Sequence, residues 1–208
     1  MGDASRVVVA QNARIYLAPL GTAAPATATG VLAAGWKEVG LFTPDSLKWK
    51  TDPQFQEVRS HQSNYATRRM QTNDGATVDV DLQEWSADNF YAVYGGGNFT
   101  TSSGSYVFSP PGVGNRVDVA AIIEIIDGGK AFRRIIPRTS QVEGVEQSFT
   151  RANESTLPLR LSVIGTDALD AYYDLTNDPA FTSTSAPSAS AVYPATSLWP
   201  SITSWPQG

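Results

Sequence analysis

Three carboxylates close in sequence, Asp79, Asp81 and Glu84, are the first residues whose spacing could do chemistry. On an extended chain Asp79 and Asp81 share a face, and converging carboxylates can hold a metal ion or act as the acid and base of a glycosidase. The solvated face of a sheet is the simpler reading, because the glycine and closing glutamate of a calcium loop are missing from their offsets. The single histidine, His61, lies beside Ser60 and Gln62-Ser63. Neighbours on an extended chain point apart, so a triad would need distant residues, and a surface or interface position is expected instead. Gly95-Gly96-Gly97-Asn98 has the composition of a phosphate loop but follows a helical pattern instead of opening one, which reads as a helix stop. With no cysteine and one histidine there is no thiolate nucleophile, disulfide, zincin motif or His-rich metal cage. No catalytic, metal or cofactor site is assigned.

Charge narrows the partners. The 208 residues carry 15 Lys and Arg against 20 Asp and Glu, a net charge of −5. That argues against tight nucleic-acid binding by phosphate neutralisation, while permitting a surface past which a polyanion moves without sticking. The doublets Arg68-Arg69 and Arg133-Arg134 each put one Arg on a given strand face, so salt bridges are expected from them before a nucleic-acid patch. No apolar run approaches the roughly 18 residues of a membrane helix. Neither membrane insertion nor a secretory signal is expected, which points to folding in a cytoplasm.

The elements that must position these groups are mainly β. Leu47 and Trp49 alternate with Lys48 and Lys50, and Val78, Val80 and Leu82 alternate with Thr77, Asp79 and Asp81. Asp74-Gly75 reads as the turn before the second strand. Residues 117–126 are apolar on both faces, and Asp127-Gly128-Gly129-Lys130 then predicts a hairpin into 131–136. Residues 139–150 and 156–164 suggest a further pair, with Leu157, Leu159, Leu161 and Val163 facing inward and Pro158 at a strand start or an edge. One helix is expected after an Ser86 cap, with Asp88 in its first turn and a stop at Gly95; a weaker one is expected from Asp167 through Tyr173. Composition changes near the end: residues 182–208 have no charged side chain, are rich in Ser, Thr, Ala and Pro, and carry Tyr193, Trp199 and Trp205. The expected organisation is a β-domain over 1–181 and an arm over 182–208. Burying a Trp is worth about 2–3 kcal/mol, so the arm's aromatics are docking candidates.

The order of several segments carries a resemblance. Asn12-Ala13-Arg14-Ile15-Tyr16-Leu17-Ala18-Pro19-Leu20-Gly21-Thr22, then Gly35-Trp36-Lys37-Glu38-Val39-Gly40, resembles the opening of the major tail (tail tube) proteins of long, non-contractile-tailed bacteriophages, especially those of actinobacterial hosts. Thr43-Pro44-Asp45-Ser46-Leu47, Leu82-Gln83-Glu84-Trp85 and Asn177-Asp178-Pro179-Ala180-Phe181 are similar to that family's turn into the first long strand, its strand-to-helix junction and its closing segment.

The resemblance implies a tail-tube β-sandwich or half-barrel flanked by one short helix. It implies hexameric rings whose inner sheets join as a barrel, stacked around a tape-measure protein and bounded by tail terminator and distal tail proteins. It also implies a virion component assembled in the host cytoplasm, down whose lumen DNA passes without specific binding. On that reading the polar stretch 53–65 is the loop bridging subunits or rings, with Gln54, Phe55, Glu57, Arg59, His61 and Tyr65 as candidate contacts. Asp79 and Asp81 would face the lumen, where Lys48, Lys50, Arg68 and Arg69 could offset them. The competing readings are a carbohydrate-binding or glycoside-hydrolase β-sandwich, using exposed aromatics and two carboxylates, and another tail component of similar fold.

Overall fold

The computed structural model describes residues 6–62, 64–147, 149, 151, 154–165 and 170–181. The chain divides into two units, 1–177 and 178–208. Of the second, residues 178–181 are described: Pro179–Phe181 form a 3-10 turn in which the Phe181 N–H donates to the Asp178 carbonyl at 3.1 Å.

Among the described residues of the first unit, alternating apolar side chains build a sheet of eight antiparallel strands. These are β1 (Asn12–Pro19), β2 (Lys37–Glu38), β3 (Lys48–Arg59), β4 (Ala66–Leu82), β7 (Val119–Asp127), β8 (Lys130–Gln141), β9 (Leu157–Val163) and β10 (Tyr173–Thr176). The order is β2-β1-β7-β8-β9-β4-β3, with β10 beside the first half of β8. A separate hairpin joins β5 (Asn98–Ser102) to β6 (Ser105–Ser109). The architecture is mainly β with one short helix, and the antiparallel sheet does not close into a barrel within one chain.

One face of the sheet makes the main core. Val78, Val80 and Leu82 of β4 and Leu157, Leu159 and Leu161 of β9 are almost wholly buried, joined by Ile15, Ala121, Ile123 and Ile136. The alternation places Thr77, Asp79, Asp81, Arg160 and Ser162 on the opposite face, as the period of two requires. Helix α1 (Ala87–Tyr94) adds Ala92 and Val93 to this core. The Ser86 side chain accepts from the Asn89 N–H at 3.1 Å, and Gly95, in the left-handed region at φ 69°, ends the helix as its residue type favours. Gly96 then donates to the Tyr91 carbonyl at 2.7 Å. The glycine run is therefore the expected helix stop.

The hairpin expected around Gly128-Gly129 forms as β7–β8. Its apolarity on both faces has a structural reason: the second face is covered by the long β1–β2 connection. Trp36 and Leu32 from that connection pack on Ala18, Ala120, Ile122 and Ile135. The Trp36 indole N–H donates to the Ala23 carbonyl at 2.9 Å. A buried ion pair fixes the same layer. Glu124 and Arg133 stand opposite each other on β7 and β8, with side chains 6% and 8% exposed and 2.7 Å apart. Arg133 also donates to the carbonyls of Thr27 at 3.2 Å and Gly30 at 2.6 Å, and the Tyr16 hydroxyl donates to Glu124 at 3.3 Å. Burial pushes the Tyr16 hydroxyl's pKa up.

Several sequence expectations are corrected. Asp74-Gly75 is not a turn: both residues lie inside the 17-residue strand β4, opposite Pro53 and Asp52 of β3. The segment 53–65 is likewise not a loop up to its tip, because β3 continues through Arg59 and the chain turns at His61 and Gln62. Polar residues form strands here because the ladder between β3 and β4 satisfies their backbones without needing an apolar face. Residues 139–141 are the end of β8, where they pair with β9, and 142–147 form no strand. Of the second expected helix, 166–169 lie outside the described residues, and Tyr173 opens a strand whose Tyr173 and Leu175 pack on the second core. Pro158 stands at the second position of β9, near the strand start as its missing donor demands.

Leu159→Ala should lower the unfolding free energy by about 2–5 kcal/mol, whereas Lys50→Ala on the open face should change it by under about 0.5 kcal/mol, both read by urea denaturation. Arg133→Ala should cost about 3–5 kcal/mol by stranding Glu124, and the paired change Arg133→Met with Glu124→Leu should restore most of that loss. Equal losses in single and paired variants would contradict the buried-pair account.

Candidate functional site

Two surfaces stand out, an open sheet face and a projecting ribbon. The open face spans β3, β4 and β9. Register puts Lys48 opposite Asp79 and Asp79 opposite Arg160, so cation, anion and cation form a row across three strands. Arg160 lies 2.8 Å from Asp81 and 3.8 Å from Asp79, and also donates to the Val80 carbonyl at 3.0 Å. Lys50 continues the face opposite Thr77. The two aspartates are thus brought together as expected, and the guanidinium of Arg160, which alternation puts on the outward face of β9, sits between them because β9 pairs with β4.

Glu84 does not join them. Its carboxylate accepts from the Leu41 N–H at 2.9 Å and crowds Gly40, where an added Cβ at φ 80° would collide with it. Among the described residues no three metal-ligating side chains cluster. A cleft of about 740 Å³ lies near Trp49, Ile125 and Phe132 at one end of the core face. Of its lining carboxylates, Glu38 faces Arg14 at 3.8 Å and Glu84 is held as described. Arg134 closes one side, stacked 4.3 Å over the Trp49 ring and bound to Asp174 at 2.7 Å. These contacts serve packing, and Asp174 is the main cause of the raised pKa of Arg134.

The ribbon is the outer part of the β3–β4 hairpin. Residues 51–59 and 66–74 are exposed, and the ladder between them carries register shifts at Gln54/Phe55 and Val58/Arg59. Gln54, Phe55, Glu57 and Arg59 lie on β3, while His61 and Tyr65 lie in the turn at its tip, His61 exposed as expected. Phe55 is 53% exposed and Tyr65 83%, and Val58 and Met70 are exposed beside them. Glu57 accepts from Arg69 at 2.6 Å and from Arg59 at 3.2 Å, and these bonds hold its carboxyl below the usual carboxylate range. Arg69 also lies 5.9 Å from the Phe55 ring. The doublets thus serve intrachain pairing, Arg69 with Glu57 and Arg133 with Glu124. β3 ends the strand order, pairing with β4 on one side; Pro53, which has no N–H to offer, is tolerated on such an edge.

The β5–β6 hairpin escaped sequence reasoning. Ser103 and Gly104 both take positive φ, 49° and 77°, the conformation of a tight hairpin turn. Phe99 and Phe108, 4.7 Å apart, pack on Phe90 of α1. The β-favouring run Tyr106-Val107-Phe108 after Ser103-Gly104 was the available signal. Tyr193, Trp199 and Trp205 lie outside the described residues.

No curated protein matches the chain. A family described as "Phage tail tube protein" matches residues 1–199, almost the whole length. The chain therefore belongs to the phage tail tube protein family, as a structural component of the virion tail that self-assembles and associates with other tail components.

Proposed function

We propose that copies of this chain complete one another's sheets around a ring, that hexameric rings stack into a tube, and that the tube is the conduit for DNA ejection. The observation that carries this reading is the ribbon: a twelve-residue edge strand in a hairpin whose outer half has solvent on both faces while displaying Phe55, Val58 and Met70. An isolated two-stranded ribbon is marginal in water, and an open edge is a template for another strand. Closing a ring removes the edge, so a tendency to aggregate becomes ordered assembly. The ribbon, with Gln54, Phe55, Glu57, Arg59, His61 and Tyr65, then bridges subunits or rings.

The open face of β3, β4 and β9 lines the lumen in this proposal. Asp79 and Asp81 there are offset by Arg160, Lys48 and Lys50, giving a wall of mixed sign on which phosphates find no extended cationic track. The lumen holds a tape-measure protein before DNA passes, and terminator and distal tail proteins close the ends. Likeness of the opening segments supports a long, non-contractile tail and an actinobacterial host, with assembly in the host cytoplasm. The role is structural, with no catalytic step.

Electron microscopy of the purified protein should show rings or hollow filaments of constant diameter. A monomer at high concentration that binds oligosaccharide would instead support a carbohydrate-binding module. Phe55→Asp with Val58→Asp should leave the far-ultraviolet circular dichroism unchanged and abolish filaments; filaments of normal length would contradict the ribbon's role. Asp79→Asn with Asp81→Asn should leave tubes intact yet slow DNA delivery by leaving the wall cationic, and unchanged infectivity would argue against the lumen assignment. Glu57's depressed pKa contributes to ribbon order above the unfolded carboxylate range, and that contribution is lost as pH falls through the folded value. Nuclear magnetic resonance titration should show Glu57 titrating below free glutamate, a difference that shrinks in Arg69→Gln, where Arg59 still donates to the carboxylate, and disappears when Arg59→Gln is added.

A further inference from the structure

We propose that an apolar groove at the β1–β2 end of the sheet receives the aromatic C-terminal arm of a second copy of this chain, an inference that rests on the tube reading above. The groove has a volume of about 690 Å³ and is lined by Leu17, Leu20, Tyr91, Ala92, Val117 and Val119 among others. Leu20, Tyr91 and Val117 are exposed apolar side chains of this surface. The groove also includes Lys37 and Glu38, the whole of β2, which ends the strand order on this side and pairs with β1. A segment laid there gains backbone pairing from the strand edge and apolar contact from the walls, the combination by which sheets capture extended peptides.

Composition selects the occupant. The charged side chains of the groove's lining already have partners within the chain: Lys37 binds Asp88 at 2.9 Å, Asp118 binds Arg138 at 2.6 Å, Glu38 faces Arg14 at 3.8 Å, and Arg116 donates to the Gln141 carbonyl at 2.6 Å. The segment 182–208 has no charged side chain and carries Tyr193, Trp199 and Trp205, with Trp199 and Trp205 each followed by proline. It enters an apolar groove without stranding a charge, and its aromatics are the side chains that gain most from burial.

The tube reading selects a second copy, and the geometry permits it. The arm departs after Asn177, which is clamped to the β7–β8 turn: its side chain accepts from the Ala131 N–H at 2.7 Å and donates to the Gly129 carbonyl at 3.0 Å. The groove lies at the other end of β7, beside Val117 and Val119. Nine strand residues separate the two ends by about 30 Å. From Asn177 to Trp199 the chain can extend at most about 70 Å, which covers the distance to the groove of its own subunit and to that of a neighbour. Root and receptor at opposite ends make a head-to-tail contact, which repeats without limit along a stack.

The chain has no native cysteine, so introduced ones report proximity without background. Full-length Ala34→Cys, placed on a groove residue, is mixed with full-length Ser201→Cys, between the arm tryptophans, assembled, and treated with a short bismaleimide. Crosslinked dimer should form in this mixture, and far less should form when Lys50→Cys on the open sheet face replaces Ala34→Cys. Equal yields from the two mixtures, no dimer, or a crosslink confined within single chains of the Ala34→Cys/Ser201→Cys double variant would each overturn the proposal. Microscopy of wild-type protein separates the two claims: absent tubes sink the tube reading, whereas tubes without the groove crosslink sink the arm contact alone.

Discussion

Unpaired backbone along β3 is the constraint from which the rest of the account follows. Among the described residues no strand pairs with its outer side, so the peptide groups there bond to water or await another chain. In the free subunit water meets that need. In the proposed ring a neighbouring strand would meet it, and Phe55, Val58 and Met70 of the ribbon would leave water at the same time. Because the principal core is built elsewhere, from β1, β4, β7, β8, β9 and α1, the fold does not depend on the ribbon being covered. In the proposed tube, folding of the subunit would therefore precede its assembly.

The charges are arranged in keeping with this. Arg133 is bound to Glu124, Arg134 to Asp174, Arg138 to Asp118 and Arg160 to Asp81, each within the chain. These four pairs are satisfied inside the chain, and backbone pairing with apolar contact carries the proposed interfaces. The buried pair has a further role: by holding the carbonyls of Thr27 and Gly30, Arg133 ties the β1–β2 connection over the second face of β7 and β8. That cover leaves the β3–β4–β9 half as the open face.

Much of the fold was legible because burial imposes a period. The stripe Leu157, Leu159, Leu161, the alternation of Val78 and Val80 with aspartates, the helix between Ser86 and Gly95 and the β7–β8 hairpin are all dictated locally. The ribbon was misread for the complementary reason: residues 53–59 and 66–74 bury nothing in one chain, so a strand there leaves no hydrophobic period and Asp74-Gly75 mimics a turn. The grouping of Asp79 and Asp81 could be foreseen from alternation. The insertion of Arg160 depended on β9 lying beside β4, a pairing between distant segments that local pattern does not encode. Glu84 was grouped with the aspartates by proximity in sequence, yet the chain leaves the strand after Leu82 and turns it toward Leu41.

Hydrogen exchange of the β3 backbone amides, compared between dispersed subunits and assembled tubes, tests the central claim most directly. The account predicts that amides of 48–59 directed away from β4 exchange rapidly in the subunit and become strongly protected in the tube, while core amides of β9 change little. Outward β3 amides that exchange as fast in tubes as in free subunits would show that no neighbouring strand completes this edge, and would contradict the account.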